Sequence, residues 1–333
     1  MSQMLTEIGE APAAVARVIA NLPAIAAVAA RIQALDPPFV SIAARGSSSH
    51  AGTYLRALIG RDLGLAAAAA MPSLASVYHR PQRLQRALFI AISQSGRSPD
   101  LLAAADQARA AGALTLAIVN DPASPLAAAC ELVLDIQAGP ERSVAATKTV
   151  IATLATALAL VRAWAGLPIN LAPLPARLAA APDWPTLADT LAQVATIFTL
   201  GRGPALGIAK EAALKLAETC GIAAIAHSAA ELAHGPMALA GPNFPVLAFV
   251  QNDAARPHTE TTLAALAKSG VPILAAGTTL PGTTTLPTLP PTDPDADLLP
   301  MLLSAYRAIE TAARRRGHDP DHPHALQKIT QTI

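Results

Sequence analysis

Phe39-Val-Ser-Ile-Ala43, then Arg45-Gly-Ser-Ser-Ser-His50, then a run of Ala and Leu with helical period from about Ala51 reads as buried strand, polar loop and helix. A short unbroken apolar run bounded by turn residues is what a strand covered on both faces requires, and a helix after it makes the repeating unit of a parallel sheet. The order returns immediately. Ala87-Leu-Phe-Ile-Ala-Ile92 leads into Ser93-Gln-Ser-Gly-Arg-Ser-Pro99 and a helix through Ala111, and Leu114-Thr-Leu-Ala-Ile-Val119 follows Gly112, which suits a helix C-cap. Leu132 to Ile136 gives another short strand and Val144 to Ala165 another helix. The fold class is therefore α/β, with parallel strands flanked by helices.

Beyond Gly166 the chain turns Pro-rich as far as Pro185, which predicts a linker holding about one helical turn. The first pattern then recurs. Ile197-Phe-Thr-Leu200 with Gly201-Arg-Gly203 echoes the first strand and loop, Pro245 to Val250 with Gln251-Asn-Asp253 echoes the second, and Gly270 before Val271-Pro-Ile-Leu-Ala275 echoes Gly112. Gly46 to Gly203, Ser93 to Gln251 and Gly112 to Gly270 are spaced by 157, 158 and 158 residues. A near-constant offset predicts duplicated domains. It also suits a 333-residue chain, because single cores stop growing near roughly 250 residues. The expected division is an N-terminal helix and first domain over 1–165, a linker over 166–185, a second domain over 186–316 and a tail over 317–333. A Pro/Thr-rich stretch after Thr278 precedes a last amphipathic helix near Leu298 to Arg316.

Composition narrows the function. At 52% hydrophobic, 14% charged and mean hydropathy +0.39, the chain is not disordered. Lys+Arg 24 against Asp+Glu 23 leaves a net charge of +1, so no global field attracts nucleic acid or anionic lipid. A membrane span needs about 20 nearly uninterrupted apolar residues. Leu63 to His79 is broken by Gly64 and Pro72, and Thr149 to Val161 is closed off by Lys148 and Arg162, so no span is expected. The amino terminus lacks the order of a secretory signal. Cys130 and Cys220 have neither CxxC nor His spacing and read as buried reduced thiols of a cytoplasmic protein.

Ligands of open parallel sheets collect at the carboxyl ends of strands, where helix starts point N–H groups outward. Gly46-Ser-Ser-Ser49 and Ser93-Gln-Ser-Gly-Arg-Ser98 both lie there and supply hydroxyls, an amide and backbone donors, which suits a phosphate dianion. A cluster of serines also makes ordinary helix caps, and the structure must decide between the two. No G-x-G-x-x-G follows the first strand, so no dinucleotide cofactor is expected. In the second half Glu211, Lys215 and Glu218 share one helix face, either as a solvated stripe or as an acid/base group. His227 and His234 flank Ser228-Ala-Ala-Glu231-Leu-Ala233. The tail His318-Asp-Pro-Asp-His-Pro-His324 is interrupted by prolines, has no Cys nearby and is not expected to hold a metal.

These residues together resemble a known family. The loops Ala44-Arg-Gly-Ser-Ser-Ser-His-Ala51 and Ser93 to Ser98, the run Ala138-Gly-Pro-Glu-Arg-Ser-Val-Ala-Ala-Thr-Lys148, the stretch Leu200-Gly-Arg-Gly203 to Lys215-Leu-Ala-Glu218, Glu231-Leu-Ala-His-Gly-Pro-Met-Ala-Leu239 and the tail Asp319 to Lys328 are similar to the tandem sugar isomerase (SIS) domains of the glucosamine-6-phosphate synthases. The resemblance implies two flavodoxin-like domains and a tail that enters the active site. It implies that Ser48, Ser93, Gln94, Ser95 and Ser98 hold a substrate phosphate, Ser47 a sugar hydroxyl, and that Val144 contributes a backbone contact. Glu218 would move a proton between C1 and C2, His234 would open the sugar ring, and Lys328 would meet the carbonyl carbon as an amine or Schiff base. In that family the counterpart of His234 serves the neighbouring subunit, which implies a homodimer.

Departures from the pattern shape the expected activity. Ala146 stands where the family has a Ser, and Arg45, Ser49 and Arg97 replace a Cys, an aromatic and an acid. The chain begins about where the isomerase half of the synthase would, and neither Cys130 nor Cys220 suits a glutaminase nucleophile. The expectation is therefore release of ammonia from glucosamine 6-phosphate to give fructose 6-phosphate. The alternatives are a fructosamine-6-phosphate deglycase or another amino-sugar-phosphate enzyme, and a non-catalytic sugar-phosphate sensor.

Overall fold

The computed structural model describes residues 1–328. Among them ten strands form two five-stranded sheets, parallel throughout. They are β1 Val40–Ala44, β2 Ala67–Ala69, β3 Leu88–Ser93, β4 Leu114–Val119, β5 Leu132–Asp135, β6 Thr196–Gly201, β7 Ala223–Ser228, β8 Val246–Phe249, β9 Ile273–Ala276 and β10 Thr284–Leu286. The orders are β2-β1-β3-β4-β5 and β7-β6-β8-β9-β10. Strand for strand these are the same topology, so the constant spacing in the sequence does mark a duplicated fold. In each copy the order reverses direction between the first and third strands, β1/β3 and β6/β8, which is where ligands of such sheets bind.

By its contacts the chain divides into two compact units. The first comprises Ala13–Glu141, Lys148–Pro173 and the tail from Gln327; the second comprises Met1–Pro12, Arg142–Thr147 and Leu174–Leu326.

In the first unit β3 and β4 are buried along their whole length, as their apolar runs predict. One sheet face packs on the helix Pro99–Ala110 through Phe89, Ala91, Ala117, Leu101 and Ala105. The helix Gly46–Leu63 lies so close to the sheet that a Cβ at Gly52 would stand 3.3 Å from the Ile42 side chain. The helix Lys148–Ala165 packs on Gly46–Leu63 and on Leu22–Leu35. It is long and apolar enough to cross a bilayer, yet 83% of it is buried inside the protein, so it serves as a core helix. Each fully buried Leu, Ile or Val there is worth about 1.5–3 kcal/mol relative to exposure.

In the second unit the helix Leu298–Arg315 turns its apolar stripe onto Ala205–Cys220 and Pro185–Gln193. The helix Gln3–Gly9 starts on a cap from Ser2. Asp321 of the tail accepts the Gln3 and Met4 N–H groups at 2.7 and 2.6 Å, an anion at a helix start.

Predicted strands and helices appear within four residues of their expected ends, apart from the start of the helix after β1. The Pro-rich linker contains the short helix Leu174–Ala179, in keeping with the expected turn. Two differences are informative. The first polar loop is already helical from Gly46. The strands β2, β7 and β10 have no strong sequence signal, because short runs rich in Ala or Thr become strands only by pairing at a sheet edge.

Candidate active site

The two hydroxyl-rich loops leave the neighbouring strands β1 and β3 of the first unit, whose register pairs Ala44 with Ile92. Ser47 and Ser48 occupy the first turn of Gly46–Leu63, half-buried, where backbone N–H groups have no carbonyl one turn earlier. Ser98 stands at the N-cap of Pro99–Ala110, but its side chain makes no capping bond. Ser124, by contrast, caps its own helix by accepting from the Ala127 N–H at 3.4 Å. The Ser98 hydroxyl is therefore not spent on capping its own helix, unlike that of Ser124. Ser93 is buried and accepts the Gly96 N–H at 3.1 Å, which closes the loop on itself. Gly96 has φ +62°, and a Cβ there would collide with Ser124 Oγ, so only glycine fits. Gln94 and Ser95 lie half-buried between these fixed points. Asn120 at the exit of β4 braces the run beyond, accepting the Ala138 N–H and donating to the Gly139 carbonyl, both at 2.8 Å.

Lys328 belongs to the same unit. Its Nζ lies 3.4 Å from Oε2 of Glu141, a carboxylate with no exposed side-chain area that also accepts the Thr149 N–H at 3.1 Å and the Thr149 hydroxyl at 2.6 Å. A buried carboxylate at the start of the helix Lys148–Ala165 thus anchors Lys328 within its own unit. Glu141 carries no signal of this in the sequence, since its partners lie 8 and 187 residues away.

In the second unit the charged stripe on Ala205–Cys220 is not a solvated face. Lys215 is fully buried, with Nζ 3.4 Å from Glu211 Oε1 and 2.6 Å from Glu218 Oε2. Glu211 is sealed as well and accepts the buried Tyr306 hydroxyl at 3.0 Å. Burial works to strip the Lys215 proton, but Glu211 and Glu218 together outweigh it and raise the pKa above the ordinary lysine value. Glu218 alone of the three reaches solvent, at 20% exposure, so the cluster presents one carboxylate backed by a fixed positive charge. It stands near the C-terminus of its helix, about 20 Å from the helix start at a rise of 1.5 Å per residue, and so away from the carboxyl edge of its own sheet.

His234 is exposed on the turn after Ala229–Leu232, and its backbone N–H donates to the Glu231 carbonyl. His227 is on β7, edge-on to Phe198. The Val144 N–H donates to the Asp321 carbonyl at 3.3 Å. The structure thus gathers Ser47, Ser48, Ser93, Gln94, Ser95, Ser98 and Lys328 into one unit and Val144, Glu218 and His234 into the other. In the tail His322 pairs with Asp319, and among the described residues no group of three or more His, Cys, Asp or Glu is placed to hold a metal.

A family model for the SIS domain matches residues 40–163 and 190–278, one match in each copy. The chain belongs to the SIS domain family. An SIS relative, the isomerizing glutamine–fructose-6-phosphate aminotransferase of Symbiobacterium thermophilum, is 33% identical over 98% of this chain and 58% of its own length. The chain therefore spans a little over half of such curated relatives. Among solved structures, a proposed phosphosugar isomerase from Silicibacter pomeroyi is 41% identical, with TM-score 0.91 over 96% of this chain and all of that one. The C-terminal domain of glucosamine-fructose-6-phosphate aminotransferase from Francisella tularensis is 25% identical, with TM-score 0.86 over 97% and 98% of the two chains. The similarity to the aminotransferase lies in its SIS half, as the sequence motifs imply.

Both cysteines are buried and free. Burial pushes the thiols of Cys130 and Cys220 up to about 11, which makes them poor nucleophiles.

Proposed function

We propose that the protein is a cytoplasmic glucosamine-6-phosphate deaminase, turning glucosamine 6-phosphate and water into fructose 6-phosphate and ammonia. The observation that carries this is Glu218, a half-buried carboxylate held at 2.6 Å by an ammonium that is itself sealed from water. An open-chain 2-amino aldose has a C2–H acidified by its neighbouring carbonyl. A fixed carboxylate removes that proton and returns it at C1, leaving an imine at C2. Water adding to the imine carbon expels ammonia and leaves the ketose. Alternatively the Lys328 amine adds first, expels ammonia and forms its own imine, which water then hydrolyses. Either route consumes one water and releases one ammonia.

Ser47, Ser48, Ser93, Gln94, Ser95 and Ser98 would hold the phosphate and a sugar hydroxyl, with the Val144 backbone as a further contact. His234 would open the ring by moving a proton between the ring oxygen and the C1 hydroxyl. The aminotransferase relatives are named for chemistry on fructose 6-phosphate, which supports the same sugar phosphate here. Deamination needs no reactant beyond sugar phosphate and water, so the residues assigned suffice for it.

His234 is exposed, and the nearby stretches of chain on either side of it carry the exposed apolar side chains Ile225 and Leu239, at 39% and 58%. This supports a homodimer in which His234 serves the partner's site. Purified protein given glucosamine 6-phosphate should release ammonia and fructose 6-phosphate, and Glu218→Gln should abolish release while inorganic phosphate still binds. Turnover of fructoselysine 6-phosphate alone would replace the substrate, and ligand binding without any turnover would replace the enzyme with a sensor.

A further inference from the structure

An ion pair joins the two phosphate loops, and its charge matters to the anion between them. Arg45 is the residue that leaves β1 and stands at the N-cap of Gly46–Leu63, extended at φ −130° and ψ 157°, with no capping bond from its side chain. Its guanidinium reaches instead to the loop of the neighbouring strand: Nε lies 2.7 Å and Nη2 2.6 Å from Oδ2 of Asp100. Asp100 sits in the first turn of Pro99–Ala110, two residues after Ser98, and its side chain is fully buried while that of Arg45 is 49% exposed. The other carboxylate oxygen accepts the Leu101 N–H at 2.8 Å.

A buried carboxylate is favourable at a helix start that faces no ligand, but at a helix start that holds a phosphate dianion it is a like charge in a medium that screens poorly. Hydroxyls and backbone N–H groups do not offset it, because they carry no net charge. Arg45 does, and its half-exposed side adds positive field toward solvent, where an anion arrives.

Resting on the phosphate role assigned to these loops, we infer that Arg45 is a positioning residue that neutralises Asp100 and so lets the two loops accept a dianion. The pair also fixes the distance between the loops, but the charge is the testable part. The probe is inorganic phosphate, measured by calorimetry on the full chain, so no turnover is required. Arg45→Met should weaken phosphate binding about tenfold or more, whereas Arg45→Lys should keep most of it. Asp100→Asn should bind phosphate at least as tightly as the wild type. The double variant Arg45→Met/Asp100→Asn should regain most of the affinity, which a purely structural tie could not restore.

Unchanged affinity in Arg45→Met, or a loss in Asp100→Asn as large as that in Arg45→Met, overturns the inference. If Arg45→Met does not fold, the order of Asp100→Asn, Arg45→Lys and the double variant still decides it. A wild type that binds no phosphate strikes the phosphate role of the loops itself, a different outcome from wild-type binding that ignores Arg45.

Discussion

Replacing Lys215 by Met removes a buried ammonium from between two carboxylates, one sealed and one at the surface of the cluster. Breaking a buried ion pair from one side costs about 3–5 kcal/mol, because the remaining charge is left uncompensated. At about 2–4 °C per kcal/mol for a unit of this size, the thermal midpoint should fall by roughly 6–20 °C. The sign of the pH dependence is the sharper signature. In the wild type the Lys215 pKa is raised, so its contribution is fully present below the ordinary lysine value near 10.5 and fades only as the pH climbs through the folded value. The Lys215 contribution is therefore flat between pH 5 and pH 8. In the variant the two carboxylates lose the charge that Lys215 set against them, and burial favours the neutral form of a carboxylate, so stability is expected at low pH and lost as the pH rises. Lys215→Met should thus be clearly more stable at pH 5 than at pH 8. Adding Glu211→Gln should recover much of the midpoint at pH 8, yet ammonia release should stay lost because Glu218 still lacks its partner. Melting curves at the two pH values, with an ammonia assay at the higher one, check this. Equal midpoints for Lys215→Met at pH 5 and pH 8, or retained turnover, would refute the role given to the cluster.

Other substitutions test the remaining parts. Glu141→Gln should lower turnover by up to about a hundredfold by releasing Lys328, and cost about 1–3 kcal/mol through the Thr149 hydroxyl bond, read by kinetics and denaturant melts. Gly96→Ala should cost about 1–2 kcal/mol from its left-handed backbone alone and weaken inorganic phosphate as a competitive inhibitor. Thiols raised to about 11 are about one thousandth thiolate at pH 8, so Cys130 and Cys220 should react with a disulfide reagent only after unfolding, two per chain. In a homodimer with exchanged His234, mixing inactive Glu218→Gln with inactive His234→Ala should restore about a quarter of wild-type activity, since half of the dimers are mixed and each has one intact site.

The strands of both sheet centres were legible because β1, β3, β4, β6 and β8 are apolar on both faces, and a run such as Leu88 to Ile92 has few other uses. The duplication was legible from glycines at matched spacing. Of the four edge strands only β5 was legible, because stretches such as Ala67–Ala69 and Thr284–Leu286 owe their conformation to a neighbour. The site was read in the same uneven way. Hydroxyl loops and the Glu211/Lys215/Glu218 spacing are local patterns. Burial of Lys215, the Tyr306 hydroxyl on Glu211, the Glu141 anchor for Lys328 and the Arg45–Asp100 pair each join residues 55 to 187 positions apart or depend on packing, which no local pattern encodes.

The most direct test is stoichiometric: glucosamine 6-phosphate is incubated with the wild type and with Glu218→Gln, and ammonia and fructose 6-phosphate are measured together. One-for-one release by the wild type, absent in a variant that still binds inorganic phosphate, is the predicted result. No ammonia from the wild type, or undiminished release by Glu218→Gln, contradicts it.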